Sequence, residues 1–91
     1  MILDLYFTSR FKKDYKLMIK RGMKPSLLEE TVELLRRRLS LPEKYHDHEL
    51  SGDYAGFREC HILPDWLLVY RVEADRLMLT LFRTGSHSDL F

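Results

Sequence analysis

The sequence predicts an α+β domain in which two N-terminal helices pack on a mostly antiparallel sheet of four or five strands. Two observations predict it. Apolar residues recur at three- and four-residue spacing before Pro42, which is typical of amphipathic helices, and β-prone runs separated by turn residues follow it. A chain of 91 residues is long enough for one such unit. We therefore assign residues 1–91 to a single domain.

The first half of the chain is expected to contain one strand and two helices. Ile2 to Phe7 is a β-prone run, and Thr8 or Ser9 can cap the helix that follows. That helix ends at Gly22, and its apolar stripe consists of Phe11, Tyr15, Met18 and Ile19. A second helix begins at Lys24-Pro25-Ser26, with Ser26 and Glu29 spaced as a capping box. Its core stripe consists of Leu28, Val32, Leu35 and Leu39.

The second half is expected to be β-structure. Gly52 and Gly56 mark the turns of a short hairpin, and a partly alternating strand follows from Phe57 to Leu63. After a turn at Pro64-Asp65, Trp66 to Val72 is apolar nearly throughout, which predicts a central strand buried on both faces. Leu77 to Arg83 returns as another strand. The tail after Arg83 is polar until its last two residues, and no element is predicted there.

The composition excludes several classes of protein. The longest apolar stretch, Trp66 to Tyr70, is far shorter than the roughly 18 residues of a membrane span. Asp4 interrupts the N-terminus before a signal-peptide apolar region can build. Cys60 is the only cysteine, which excludes an internal disulfide and predicts a reducing, cytoplasmic setting. Because Cys60 lies among apolar residues of a strand, we expect an inert, packed thiol.

Basic residues are concentrated in the first half. Residues 1–44 contain eleven basic and six acidic residues, and residues 45–91 contain four and eight. Such a distribution suits a protein that meets a polyanion, although exposed helices carry similar charges without one. Arg36, Arg37 and Arg38 have two explanations of equal weight: they complement the dipole at a helix C-terminus, or they bind phosphate.

Four histidines in the second half could carry chemistry: His46, His48, His61 and His87. Loops and strand ends of a meander meet along one rim, so these residues and Asp65 could converge on one cleft. Imidazole exchanges protons near neutral pH, which suits general acid–base catalysis, but most surface histidines have no catalytic role. A zinc site is disfavoured, because His46-x-His48 is not a usual chelating spacing and Cys60 has no partner cysteine.

Two arginines interrupt the later strands, Arg58 and Arg83. The planar guanidinium suits phosphate oxygens, so histidines with strand-end arginines could cleave a phosphodiester. An RNA substrate would supply its own nucleophile, the 2′-hydroxyl, and would require no metal ion. Ordinary pairing with carboxylates is the alternative explanation for both arginines, with Glu59, Asp65 and Asp89 available.

Three separated stretches resemble the YafQ branch of the RelE-like toxins, the bacterial type II toxin–antitoxin mRNA endoribonucleases. They are YHDHELSG at 45–52, GFRECHILPDWLLVY at 56–70 and RTGSHSDLF at 83–91. The resemblance extends over nearly the whole chain. It implies a RelE-like fold and ribosome-dependent cleavage of mRNA in the A site, which leaves a 2′,3′-cyclic phosphate and a 5′-hydroxyl and inhibits translation.

The resemblance also implies roles for individual residues. His87 is expected to be the general acid and His48 the base, with His61 and Asp65 orienting them. Arg83 would stabilise the phosphate, and Phe91 would hold the substrate base. Arg58 is a further substrate-binding candidate. Neither a cofactor nor a metal ion is expected.

The partners that the resemblance implies are the ribosome with its mRNA and a small DNA-binding antitoxin of the DinJ type. Operator DNA would be bound only through the antitoxin complex, and no membrane is involved. Anchoring to ribosomal RNA phosphates is expected of the basic residues of the first half. These are Lys12, Lys13, Lys16, Lys20, Arg21, Arg36, Arg37 and Arg38.

Two departures and two alternatives remain. Glu49 stands where a proline is common, so its carboxylate either influences His48 or faces solvent, and Cys60 stands where a small residue is expected. One alternative function is a ParE-like gyrase inhibitor of the same fold, and the other is a catalytically silent partner in a repressor complex. The Arg-Thr-Gly-x-His ending and the histidine–aspartate set favour the nuclease.

Overall fold

The architecture is α+β, with a helical layer on one face of a five-stranded mixed sheet. It is seen in a computed structural model that describes residues 2–91. The strands are β1 (Asp4–Phe7), β2 (His48–Glu49), β3 (Arg58–Leu63), β4 (Trp66–Glu73) and β5 (Met78–Gly85), and the helices are α1 (Ser9–Lys20), α2 (Pro25–Arg36) and α3 (His87–Leu90). No helix in this described range is long and apolar enough to cross a membrane. The predicted fold class is confirmed.

The sheet has the strand order β1-β5-β4-β3-β2. Strands β2 to β5 form an antiparallel meander, whereas β1 runs parallel to β5, so that Asp4 pairs with Met78 and Phe7 with Leu81. An irregularity in the β4–β5 ladder pairs Val69 with Arg83 but Tyr70 with Leu81. Such a bulge redirects side chains at the end of β5.

The core lies between the sheet and helices α1 and α2. Helix α1 begins where predicted, because Thr8 is its N-cap and its side chain accepts a hydrogen bond from the Phe11 amide. Phe11 and Met18 of α1 pack with Leu28 of α2 against the sheet residues of the same cluster, including Leu68. The chain leaves α1 through Gly22, whose φ of 93° is accessible to glycine but strained for other residues.

A second, smaller cluster covers the opposite face of the sheet. Leu67 and Val69 of β4 are fully buried there under Leu90 of α3. Partly buried residues from the β2–β3 connection and β5 complete it: Leu50, Tyr54, Phe57 and Phe82. Because successive side chains of a strand point to opposite faces, this face is the one on which residues 59 and 61 of β3 also lie. It is the face that carries the candidate site.

Three local predictions about helices and the central strand are wrong. The Ser26–Glu29 capping box does not form, because Lys24 is the N-cap of α2 and makes no side-chain capping bond. Leu39 is 53% exposed rather than part of the core stripe, since α2 ends at Arg36 and the chain turns through a positive φ at Arg38. Strand β4 is buried on both faces only from Trp66 to Tyr70, and Arg71 beyond it is exposed.

Two short elements were not predicted. His48 opens the short strand β2 and pairs with Glu59 of β3. The polar tail contains α3, which is stabilised by a capping box between Ser86 and Asp89. Ser86 accepts a hydrogen bond from the Asp89 amide, and the Asp89 carboxylate accepts one from the Ser86 amide. This helix places His87 in its first turn.

Candidate active site

The four histidines lie together on the sheet face opposite α1 and α2. The ring of His61 is central: its centroid lies 5.3 Å from that of His46 and 5.5 Å from that of His87. His48 comes from the neighbouring strand β2, and its Nδ1 lies 2.7 Å from the carbonyl oxygen of His46. The predicted convergence of His48, His61 and His87 is therefore present in the structure. His46, named among the histidines but given no role, belongs to the same cluster.

Asp65 holds His87 in place. Its Oδ1 accepts a hydrogen bond from the His87 amide at 2.9 Å and lies 2.7 Å from the ring Nδ1. These contacts, the amide bond foremost, keep the pKa of Asp65 below its ordinary value. The carboxylate therefore remains ionised at neutral pH, and it directs Nε2 of His87 away from itself.

Glu59 is the carboxylate that the sequence did not single out. It is 5% exposed, and its Oε1 lies 3.7 Å from Nε2 of His48 and 3.6 Å from Nε2 of His61. Its spacing of two residues from His61 on a strand is the signal that could have identified it, because that spacing puts both on one face. Burial lowers the pKa of His61, and the charge of Glu59 opposes that effect.

Arg83 lies on the same face but is paired. Register places it beside Val69, which in turn lies beside Glu59, so two strand spacings, about 10 Å, separate the Arg83 and Glu59 backbones. Its Nε and Nη2 donate to Asp14 of α1 at 2.9 and 3.0 Å. Asp14 thus holds the Nε–Nη2 edge of the guanidinium, in the carboxylate pairing that the sequence left open, and it raises the pKa of Arg83, with a smaller contribution from Tyr54.

Arg58 lies away from the histidines. It alternates with Glu59 on β3 and therefore points to the other face of the sheet. There Asp47 accepts hydrogen bonds from Arg58 at 3.2 and 3.3 Å and another from the Tyr70 hydroxyl. The substrate-binding role predicted for Arg58 gains no support from this placement. Glu49 faces solvent, with Oε1 3.6 Å from Arg58 Nη1, so it does not contact His48.

Phe91 is exposed at the end of a row of aromatic rings. Its side chain is among the most exposed apolar ones, at 61%, and its ring lies 5.4 Å from that of Tyr54. Tyr54 contacts Phe82, which stacks on Phe57 at 4.5 Å. Phe91 directly follows α3, and its amide donates to the carbonyl oxygen of His87, so its exposed ring is a surface on which a nucleic-acid base can stack.

The basic residues of the first half divide into two groups. Lys12, Lys13, Lys16 and Lys20 are exposed along α1, and Arg38 is exposed just after α2. Arg21, Arg36 and Arg37 are engaged: Arg21 with Asp89, Arg36 with the Leu3 carbonyl, and Arg37 with Glu33. The four lysines and Arg38 are therefore cations available to an external polyanion, while carboxylate pairing or backbone contact accounts for the other three arginines.

Grooves rather than a closed pocket flank the histidines. His46 and His61 line an open groove of about 590 Å³ with Lys44 and Pro64. Across residues 2–91, no group of three or more His, Cys, Asp or Glu side chains is arranged to hold a metal ion. Cys60 is fully buried, and burial raises the pKa of its thiol, as expected of a packed cysteine. Trp66 is core, and its indole donates to Thr84.

A family model described as the bacterial toxin of type II toxin–antitoxin systems, YafQ, matches residues 3–91. The chain belongs to the YafQ toxin family. The mRNA interferase toxin YafQ of Escherichia coli K12 is 39% identical over 89 residues, which cover 97% of this chain and 95% of that protein. The predicted family is thus confirmed. The predicted class of enzyme, an endoribonuclease, is also confirmed, because the E. coli relative is named an mRNA interferase.

Two solved structures show how closely the YafQ fold is shared. The metal-bound toxin from Helicobacter pylori is 42% identical, with a TM-score of 0.92 over 100% of both chains. YafQ in the E. coli DinJ–YafQ toxin–antitoxin complex is 36% identical, with a TM-score of 0.89 over 100% of this chain and 99% of that one.

Proposed function

We propose that this YafQ-family toxin is a ribosome-dependent mRNA endoribonuclease that cleaves mRNA in the A site by acid–base catalysis without a metal ion. The observation that carries the proposal is the convergence of His48, His61 and His87 with the Asp65–His87 contact. Several imidazoles close together can supply both a proton acceptor and a proton donor at neutral pH. Because ribosomes are its target, the protein acts in the cytoplasm.

The reaction proceeds by attack of the 2′-hydroxyl on the adjacent phosphorus. His48, as base, takes the hydroxyl proton while the bond from the 2′-oxygen to phosphorus forms and the bond to the 5′-oxygen breaks. His87, as acid, gives its Nε2 proton to the leaving 5′-oxygen, and Asp65 stabilises its charged form. His61, between them, orients the pair. The products are a 2′,3′-cyclic phosphate and a 5′-hydroxyl.

Two further residues complete the substrate site. Arg83 stabilises the additional negative charge on phosphorus with the guanidinium edge that Asp14 leaves unoccupied. Phe91 holds the substrate base by stacking. Together with the imidazoles, these residues supply the base, acid and cation that in-line cleavage of RNA requires.

The proposed partners are ribosomal RNA, an antitoxin and, through the antitoxin, operator DNA. The exposed lysines of α1 bind ribosomal RNA phosphates without reading sequence. A small DNA-binding antitoxin of the DinJ type restrains the toxin; E. coli YafQ forms a toxin–antitoxin complex with DinJ, which supports this. Operator DNA is bound through the antitoxin.

The test replaces His87 by alanine. Expression of His87→Ala is expected to relieve growth arrest, and mapping of transcript ends is expected to show loss of mRNA cleavage. Asp75→Ala, at an exposed turn away from the histidines, is the control and should remain toxic. Undiminished cleavage by His87→Ala would contradict the site. Arrest without any RNA cleavage by the unmodified toxin would favour a ParE-like binding function.

Ribosome dependence has its own test. Purified toxin is expected to cleave free RNA poorly and ribosome-bound mRNA efficiently. Replacing Lys12, Lys13 and Lys16 together by glutamate should weaken cleavage on ribosomes and leave the fold intact, because all three side chains are exposed. Rapid cleavage of free RNA by the unmodified protein would contradict the proposed dependence.

A further inference from the structure

Glu59 is a buried carboxylate that pairs with imidazoles rather than with lysine or arginine. It lies in the middle of β3, where its cross-strand neighbours are His48 on one side and Val69 on the other. Within the described residues, the groups that meet its carboxylate at salt-bridge distance are the rings of His48 and His61. Acidic residues are rarely buried unless they are paired, because an isolated buried charge costs several kcal/mol.

The geometry makes one oxygen common to two histidines. Oε1 of Glu59 faces Nε2 of His48 at 3.7 Å and Nε2 of His61 at 3.6 Å. These contacts are longer than hydrogen bonds and become ion pairs only when a ring is protonated; catalytic contacts of this length in free enzymes often tighten when substrate binds. His48 is the cross-strand partner of Glu59, and His61 lies two residues after Glu59 on β3. All three side chains therefore lie on one face of the sheet.

We propose that Glu59 is a positioning residue that orients His48 and His61 and stabilises the proton on whichever ring carries it. The inference rests on the proposed function and deepens it. Asp65 performs the same task for His87, so each half of the proton transfer has its own carboxylate. When His48 accepts the 2′-hydroxyl proton, the imidazolium that forms faces Glu59, which favours the charged form.

Other titratable groups lie near the same two rings and also influence their protonation. His61 is faced by His46 and His87 as well as by His48, and protonation of any of these disfavours its own. Asp65 contacts Nδ1 of His87. Glu49, adjacent to His48 in sequence, points to Arg58 and solvent and therefore provides a matched control carboxylate.

The experiment is an NMR pH titration of the histidine ring protons in purified protein. In Glu59→Gln, the titration of His61 is expected to move to lower pH, because the Glu59 charge that opposes the effect of burial is gone. Glu49→Gln should leave it unchanged. An unchanged titration of His61 in Glu59→Gln would overturn the proposal. If Glu59→Gln does not fold, Glu59→Asp keeps the charge but draws it back, and a parent-like titration would overturn the proposal equally.

Cleavage of ribosome-bound mRNA supplies the second measurement. Loss of Glu59 should lower the maximal rate about tenfold or more and move the rising limb of the pH profile to lower pH, because a base of lower proton affinity is deprotonated earlier but accepts a proton less readily. Lowered titrations with an unchanged rate and profile would overturn the positioning role. Failure of the proposed function would be seen separately, as undiminished cleavage by His87→Ala.

Discussion

The ion pair between Arg83 and Asp14 gives the sharpest test of the energetics, and the perturbation is Asp14→Asn. Asp14 accepts hydrogen bonds from Arg83 Nε and Nη2 and from the Thr84 amide at 2.9, 3.0 and 3.2 Å. The side chains of Arg83 and Asp14 are only 13% and 15% exposed. Neutralising Asp14 leaves a largely buried guanidinium without its counter-charge, a loss of about 3 kcal/mol.

For a chain of 91 residues, that loss lowers the midpoint of thermal unfolding by roughly 12–24 °C. The assay is thermal and urea unfolding followed by circular dichroism, with Asp75→Asn, an exposed aspartate, as control. Adding Arg83→Met to Asp14→Asn should recover part of the loss, because the unpaired charge is then removed. A midpoint within about 3 °C of the parent's for Asp14→Asn would refute the reasoning.

Three further predictions concern other contacts. Cys60 should react with an aromatic disulfide reagent only on unfolding, since burial raises the pKa of its thiol; rapid reaction of folded protein would contradict this. Arg21 and the Ser86 amide lower the pKa of Asp89, so its contribution to stability is complete above about pH 5 and falls as acid protonates it. Asp89→Asn should therefore flatten stability measured by urea unfolding between about pH 5 and pH 2. Arg58→Gln should lower stability through loss of the Asp47 pair while RNA cleavage continues; abolished cleavage in the folded variant would restore Arg58 to the site.

The order of elements was predictable because local signals and tertiary structure agree. Phe11 and Met18 of the predicted apolar stripe of α1 are buried, and Thr8 caps that helix. The turns at Gly52 and Gly56 adopt the positive φ angles that glycine permits. The wrong predictions lie where tertiary contacts compete with local propensity. Pro25 and the backbone suffice to begin α2 without the Ser26 oxygen, and a positive φ at Arg38 turns Leu39 out of the core.

The site was predictable in part for a similar reason. The family motifs carry the imidazoles and Asp65, and the meander brings them together. Glu59 could have been found from its two-residue spacing to His61, but its contact with His48 depends on strand register. The partner of Arg83 could not be read from the sequence, because Asp14 lies 69 positions away from Arg83 in the chain. Alternation along β3 distinguishes Glu59 from Arg58 only once strand register is known.

The parallel pairing of β1 with β5 joins residues 74 positions apart, Asp4 and Met78. Contacts of such long range make folding slow, since the intervening chain must be ordered before they form. We therefore expect refolding on the millisecond-to-second scale rather than in microseconds, with β1 docking late. A chain caught before that step would expose the apolar underside of its helices, which makes it a target for proteases.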